Sequence, residues 1–127
     1  MRKVAMLAAT VAVLIVVAAG AVYAVNKTCD SKTCKGTNAR DTLFERQGNR
    51  LSDAIYGLKS ADRINAGAYT RDKDKLYGGP GNDKLNAADN DGKDTLNGGP
   101  GKDTCTGDLG ADYADVSKGC EKGNLAD

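Results

Sequence analysis

Beyond Ala24 the apolar residues of this chain come singly, and no stretch of them carries the i, i+3, i+4 spacing of an amphipathic helix. What recurs is a three-residue unit, Asp-x-apolar. It stands at Asp41-Thr42-Leu43, Asp53-Ala54-Ile55, Asp62-Arg63-Ile64, Asp74-Lys75-Leu76, Asp83-Lys84-Leu85, Asp94-Thr95-Leu96, Asp103-Thr104-Cys105 and Asp112-Tyr113-Ala114. The steps between successive aspartates are 12, 9, 12, 9, 11, 9 and 9 residues. Each unit predicts a short strand with one apolar residue turned inward and its neighbours outward, because side chains alternate across a strand. Ahead of Ala24 the pattern is the opposite: residues 4–24 form one uncharged, largely apolar run.

The segments before the aspartates carry the candidate chemistry. Residues 78–86 read G-G-P-G-N-D-K-L-N, and residues 98–106 read G-G-P-G-K-D-T-C-T. Glycines permit tight turns with φ > 0 and leave backbone carbonyls unshielded. An aspartate adds a carboxylate, and Ca²⁺ takes six to eight oxygens of these two kinds. Both segments resemble the calcium-binding nonapeptide G-G-x-G-x-D-x-U-x of the RTX (repeats-in-toxin) family. The resemblance covers roughly residues 36–116, with two of the eight repeats intact.

The resemblance implies an all-β fold, a short right-handed parallel β-roll in which two repeats make one coil. Alternate aspartates then share a side. Asp41, Asp62, Asp83 and Asp103 are spaced 21, 21 and 20, while Asp53, Asp74, Asp94 and Asp112 are spaced 21, 20 and 18. About four coils of some 21 residues follow, with the extra residues in the loops before Asp53, Asp74 and Asp94. Leu43, Ile55, Ile64, Leu76, Leu85, Leu96, Cys105 and Ala114 would point inward. Asn65 would lie over Asn86, and Tyr56 over Tyr77. The resemblance also implies Ca²⁺ between adjacent turns, at Gly78, Gly79, Gly81 and Asp83 with Gly98, Gly99, Gly101 and Asp103. Asp62, Asp74 and Asp94 are secondary candidates. The turns at 57–62 and 36–41 keep one glycine and the aspartate, and Lys59 or Arg40 is expected to replace the missing ion's charge there. Asp72, Asp89 and Asp91 in the long loops read as solvated turn residues, with irregular metal ligation as the alternative. Residues 89–94 fail as an EF-hand loop, since the obligatory glycine position is Asp94 and no Glu closes the loop.

The ends frame this roll. Arg2 and Lys3, the apolar run and Val22-Tyr23-Ala24 compose a secretory signal peptide, expected to be helical and cut after Ala24, with an uncleaved membrane anchor as the alternative. Removing it takes away two cations and leaves 16 basic against 17 acidic residues, interleaved along the chain. That balance does not suggest nucleic acid. Four cysteines in an exported chain read as disulfides. Of three pairings the local one, Cys29–Cys34 and Cys105–Cys120, is favoured because each pair lies at one end of the repeats. Zinc is disfavoured by the absence of His and of paired C-x-x-C. The organisation expected is a signal peptide at 1–24, a disulfide leader at 25–35, the roll at 36–116, and a cap with a disordered tail at 117–127.

No His means no Ser-His-Asp or Cys-His catalysis. The two glutamates, Glu45 and Glu121, fall in segments expected to be exposed, which argues against a paired-carboxylate glycosidase. The reading is a secreted, monomeric, non-enzymatic Ca²⁺-binding module with a structural or interaction role. The alternative is a cell-surface adhesion or glycan-binding module; a polysaccharide-active enzyme stands far behind.

Overall fold

The structure is a computed structural model that describes residues 23–46, 52–67, 72–90, 94–108 and 116–121. These contain ten strands and no helix. The strands are β1 (Asn26–Cys29), β2 (Thr33–Lys35), β3 (Thr42–Glu45), β4 (Ala54–Tyr56) and β5 (Arg63–Asn65). They continue with β6 (Lys75–Tyr77), β7 (Lys84–Asn86), β8 (Thr95–Asn97), β9 (Thr104–Thr106) and β10 (Val116–Lys118). Odd strands form one parallel sheet in the order β1-β3-β5-β7-β9, and even strands form a second, β10-β8-β6-β4-β2. Each strand therefore lies beside the strand two places away in sequence. The chain winds as a parallel β-roll, as the Asp-x-apolar spacing and the family resemblance together imply.

The short strands follow from their composition. β5, β6 and β7 each bury only the central residue. Leu43, Ile64, Leu85 and Cys105 stack in one sheet, one coil apart. Cys34, Ile55, Leu76 and Leu96 stack in the other. All eight are essentially inaccessible to solvent. Two columns of single side chains thus stand face to face in the interior. Outside, Tyr56 and Tyr77 stack with ring centroids 4.8 Å apart. The Asn86 side-chain amide donates to Asn65 Oδ1 at 3.2 Å. Both ladders match the sequence reading.

Disulfides join Cys29 to Cys34 and Cys105 to Cys120, with Cα atoms 5.5 and 5.8 Å apart. They cross the two ends of the roll. Open ends expose unpaired strand edges, and cross-links there hold the terminal strands in place.

Three expectations change. Residues 25–35 are not a leader ahead of the roll, because β1 and β2 are the first strand of each sheet and make a further coil. At the other end the strand beside β8 is β10, pairing Val116 with Thr95 and Ser117 with Leu96. That coil step is 21 residues, in line with the 20 or 21 of the coils before it, and not the 18 implied by placing Asp112-Tyr113-Ala114 in register. Asp112 and Ala114 themselves lie outside the described residues. Glu45, expected to be exposed, is buried at 5 % exposure. Residues 1–22 of the expected signal peptide (1–24), Asp91 and the tail from 122 onward also lie outside the described residues. Among the described residues no helix is long and apolar enough to cross a membrane.

Candidate metal centre

Each link from an even strand to the next odd strand is a six-residue turn that ends in an aspartate. These are residues 36–41, 57–62, 78–83 and 98–103, stacked one coil apart. The backbone ties the stack together: Ser60 N–H donates to Pro80 O and Gly81 N–H to Pro100 O, both at 3.0 Å. Gly79 N–H donates to Gly98 O at 3.0 Å. The second glycine of each intact turn has positive φ, 98° at Gly79 and 94° at Gly99. A β-carbon on Gly99 would come within 2.6 Å of the Gly79 carbonyl oxygen. One on Gly101 would collide with the carbonyl oxygen of Gly81. The glycines thus leave room beside carbonyl oxygens of the preceding turn.

The aspartates close each turn with a divided carboxylate. Oδ1 accepts the backbone N–H of the aspartate one coil earlier: Asp41 to Asp62 at 2.7 Å, Asp62 to Asp83 at 2.7 Å, and Asp83 to Asp103 at 2.8 Å. This bond continues the ladder of the sheet through the corner of the roll. Oδ2 of Asp62, Asp83 and Asp103 is buried and has no hydrogen-bond partner. It sits over the first glycine of its own turn, where any β-carbon would strike it. Leaving a buried charged oxygen unmatched is costly. Burial, above all, pushes the Asp62 and Asp83 carboxyls up to about 6. The donated N–H opposes that shift, and the neighbouring aspartates add to it. A column of half-satisfied carboxylates beside carbonyl oxygens fits a hard, oxygen-seeking cation.

A family profile, the RTX calcium-binding nonapeptide repeat (four copies), matches residues 47–68, 70–91 and 86–114. The chain belongs to the RTX calcium-binding repeat family. RTX nonapeptide repeats bind calcium, and here they form a calcium-binding structural domain. Neither a curated protein nor a solved structure matches the chain.

The RTX turns at 78–83 and 98–103 come together as the sequence implies, bringing Gly78, Gly79, Gly81 and Asp83 against Gly98, Gly99, Gly101 and Asp103. Asp62 stands in the same column. Asp74 and Asp94 stand in the other row of turns, where Asp53 N–H reaches Asp74 Oδ1 at 2.8 Å and Asp74 N–H reaches Asp94 Oδ1 at 2.6 Å.

The two eroded turns differ from each other. At 57–62 two residues take positive φ at positions where the intact turns have glycine: Leu58 has φ 86° and Ser60 φ 82°. Its Asp62 keeps the open Oδ2. At 36–41 the Thr37 N–H and hydroxyl both reach Asp41 Oδ2, and Val25 N–H reaches Oδ1 at 2.7 Å. Thr37 therefore satisfies the first carboxylate by hydrogen bonds. Arg40 and Lys59, expected to supply the charge, are both exposed.

In the other row, Asp72 and Asp89 are each only 5 % exposed, so neither is a solvated turn residue. Asp108 Oδ2 accepts Asn90 N–H at 2.6 Å and braces that turn. Glu45 Oε2 accepts Gly67 N–H at 2.7 Å from one coil on. Sequence reasoning missed Glu45. The signal was available: it lies two residues after inward Leu43 and thus on the same face of its strand.

Proposed function

We propose that this RTX domain is a secreted, non-catalytic module whose roll is held by Ca²⁺ between stacked turns. Asp62, Asp83 and Asp103 would supply carboxylate oxygens, and the glycine turns at 78–83 and 98–103 would supply carbonyls. The observation that carries this is the divided carboxylate, one oxygen used by the backbone and the other buried without a partner. A bound cation would remove the cost of that oxygen only in the folded chain. Ion binding would therefore appear as folding free energy.

Export is supported by two observations of different kinds. Residues 1–24 have the order of a signal peptide, and all four cysteines are paired, which suits an oxidising compartment. Extracellular Ca²⁺ modules bind with Kd of about 10⁻⁴–10⁻³ M, and the same range is expected here. Calorimetry on the signal-free chain, followed in parallel by circular dichroism, tests this. Saturable Ca²⁺ heat with a gain of β-structure supports the reading; no heat and no effect of a chelator on structure contradict it.

A second reading, adhesion to a glycan or cell surface, is favoured by the outer face of the odd-strand sheet. Phe44, Arg63, Asn65, Lys84 and Asn86 line a shallow trough of about 480 Å³ there. Binding on a glycan array that disappears on chelation would support it.

A further inference from the structure

The second row of turns lacks the glycine motif, yet it contains the densest group of buried acids among the described residues. Glu45 leaves the end of β3 and reaches forward one coil, where Oε2 takes the Gly67 N–H. Asp72 and Asp74 come back toward it from the end of that same turn. One carboxylate oxygen from each of the three lies within 4.8 Å of those of the other two. All three side chains are buried, at 5, 5 and 1 % exposure. Two oxygens at a Ca²⁺–O distance of about 2.3–2.6 Å from one ion are separated by at most about 5 Å, so the spread suits a single ion.

Proximity of acids alone would not make a site. The second observation is what the backbone leaves over. Glu45 Oε1 is buried without a hydrogen-bond partner. Asp74 Oδ1 is committed to Asp53 N–H at 2.8 Å, and Asp74 Oδ2 is likewise buried with no partner. Two orphan oxygens thus belong to carboxyl groups that face each other, with a third carboxyl beside them. Such a group holds either a proton or a cation. Glu45 also occupies a column otherwise filled by small or apolar residues, with Cys29 before it and Ala66 and Ala87 after it. A glutamate is not needed there to fill the interior.

We propose that Glu45, Asp72 and Asp74 hold a further divalent cation, of the hard class represented by Ca²⁺, in the row of turns opposite the glycine motif. Its ligands are side-chain carboxylates, two of them from positions that are not the aspartate of the repeat. It ties the β3 end of one coil to the turn of the next. This goes beyond the proposed function and does not depend on it.

The test counts ions by equilibrium dialysis with Ca²⁺ on the full disulfide-bonded chain. Three proteins are compared: wild type, the double variant Glu45→Gln with Asp72→Asn, and the double variant Asp83→Asn with Asp103→Asn. The expected result is that the Glu45/Asp72 variant loses one ion per chain and keeps the rest. The Asp83/Asp103 variant loses ions from the other row and keeps this one. An unchanged count in the Glu45/Asp72 variant overturns the proposal. An unchanged count in the Asp83/Asp103 variant overturns instead the glycine-turn reading and leaves this one standing.

Should the Glu45/Asp72 variant fail to fold, wild type decides. The chain has only two glutamates, Glu45 and Glu121. Labelling glutamate at its side-chain carboxyl carbon gives two resonances, and exposed Glu121 is the control. The spectrum is read midway between the ordinary glutamate value of about 4.3 and the metal-free Glu45 value of about 8, raised chiefly by burial. A roll folded in Ca²⁺ with a cation at this site shows Glu45 as a carboxylate. A roll folded in Ca²⁺ with Glu45 still a carboxylic acid overturns the proposal, because the occupant is then a proton.

Discussion

At Asp83 one oxygen belongs to the fold, and the other is the one proposed for the ion. Oδ1 receives the Asp62 N–H at 2.7 Å, and Oδ2 is the buried orphan. Two substitutions separate these roles. Asp83→Asn keeps a carbonyl oxygen for the Asp62 N–H but loses the charge; it is expected to weaken Ca²⁺ binding about tenfold or more while the Ca²⁺-saturated melting point falls little. Asp83→Ala also strands the Asp62 N–H and should cost a further 1–3 kcal/mol or so in stability. Calorimetry and thermal melts of both, beside Asp103→Asn, check this. Partners at a shared ion are coupled, so Asp83→Asn and Asp103→Asn should be less than additive in affinity. Equal stability losses for Asn and Ala would mean that the N–H bond contributes nothing. The identity of these aspartates was legible in the sequence because they recur at coil spacing. Their hydrogen bond was not, since a local motif does not say which backbone group one coil away meets the side chain. Glu45 was obscured for a related reason: its burial depends on the room left by Ala66 and Ala87 in later coils.

Among the turns, conformation outlasts composition. The turn at 57–62 holds Leu58 and Ser60 at positive φ where its neighbours have glycine. Left-handed backbone in a residue other than glycine costs about 1–3 kcal/mol. The stacked hydrogen bonds, including Ser60 N–H to Pro80 O at 3.0 Å, hold it there. Leu58→Gly with Ser60→Gly should raise the Ca²⁺-loaded stability by about 1 kcal/mol after the greater freedom of the unfolded chain is offset. The converse, Gly99→Ala, places a β-carbon 2.6 Å from the Gly79 carbonyl oxygen at φ 94°. It should cost about 1–3 kcal/mol and weaken ion binding. Thermal melts at saturating Ca²⁺ decide both; a neutral Gly99→Ala would show that the turns are not closely stacked. Strand positions were readable from the sequence because each unit has a single inward residue. The last coil was not: aspartates at 108, 112 and 115 offer competing registers. Pairing of β10 with β8 selects the 21-residue step that keeps the coils aligned. The first coil escaped notice because β1 and β2 carry no Asp-x-apolar unit; Val25 N–H meets Asp41 directly.

The whole roll has a narrow interior and two long columns of buried carboxylates, so its metal-free form is sensitive to protons. Burial raises Asp62, Asp74 and Asp83 to about 6 and Glu45 to about 8. These values lie above the unfolded ones of about 3.9 for Asp and 4.3 for Glu. The metal-free folded state then binds protons more tightly than the unfolded state, and its stability falls as pH rises from about 4 through 6 and on toward 8. Calcium reverses the trend, because the ion needs ionised carboxylates. In chelator, any residual β-structure should be greater at pH 5 than at pH 7.5, while in saturating Ca²⁺ the melting point should be higher at pH 7.5. Residual structure in chelator that rises with pH would contradict the assignment of these buried oxygens.

On the proposed function, ions between the turns hold the coils together. Hydrogen exchange on the oxidised chain, with Ca²⁺ and with chelator, separates this from coils held by side chains alone. Both disulfides stay intact, so the ends of the roll remain joined in both samples. With Ca²⁺, the amides of β3 to β9 should be protected, including those of Asp41, Asp62 and Asp83 that bond to the next aspartate. With chelator, protection should collapse through all of these strands together. Full protection from Leu43 to Leu96 without Ca²⁺ would show that apolar columns and side-chain ladders hold the coils unaided, and would contradict the account.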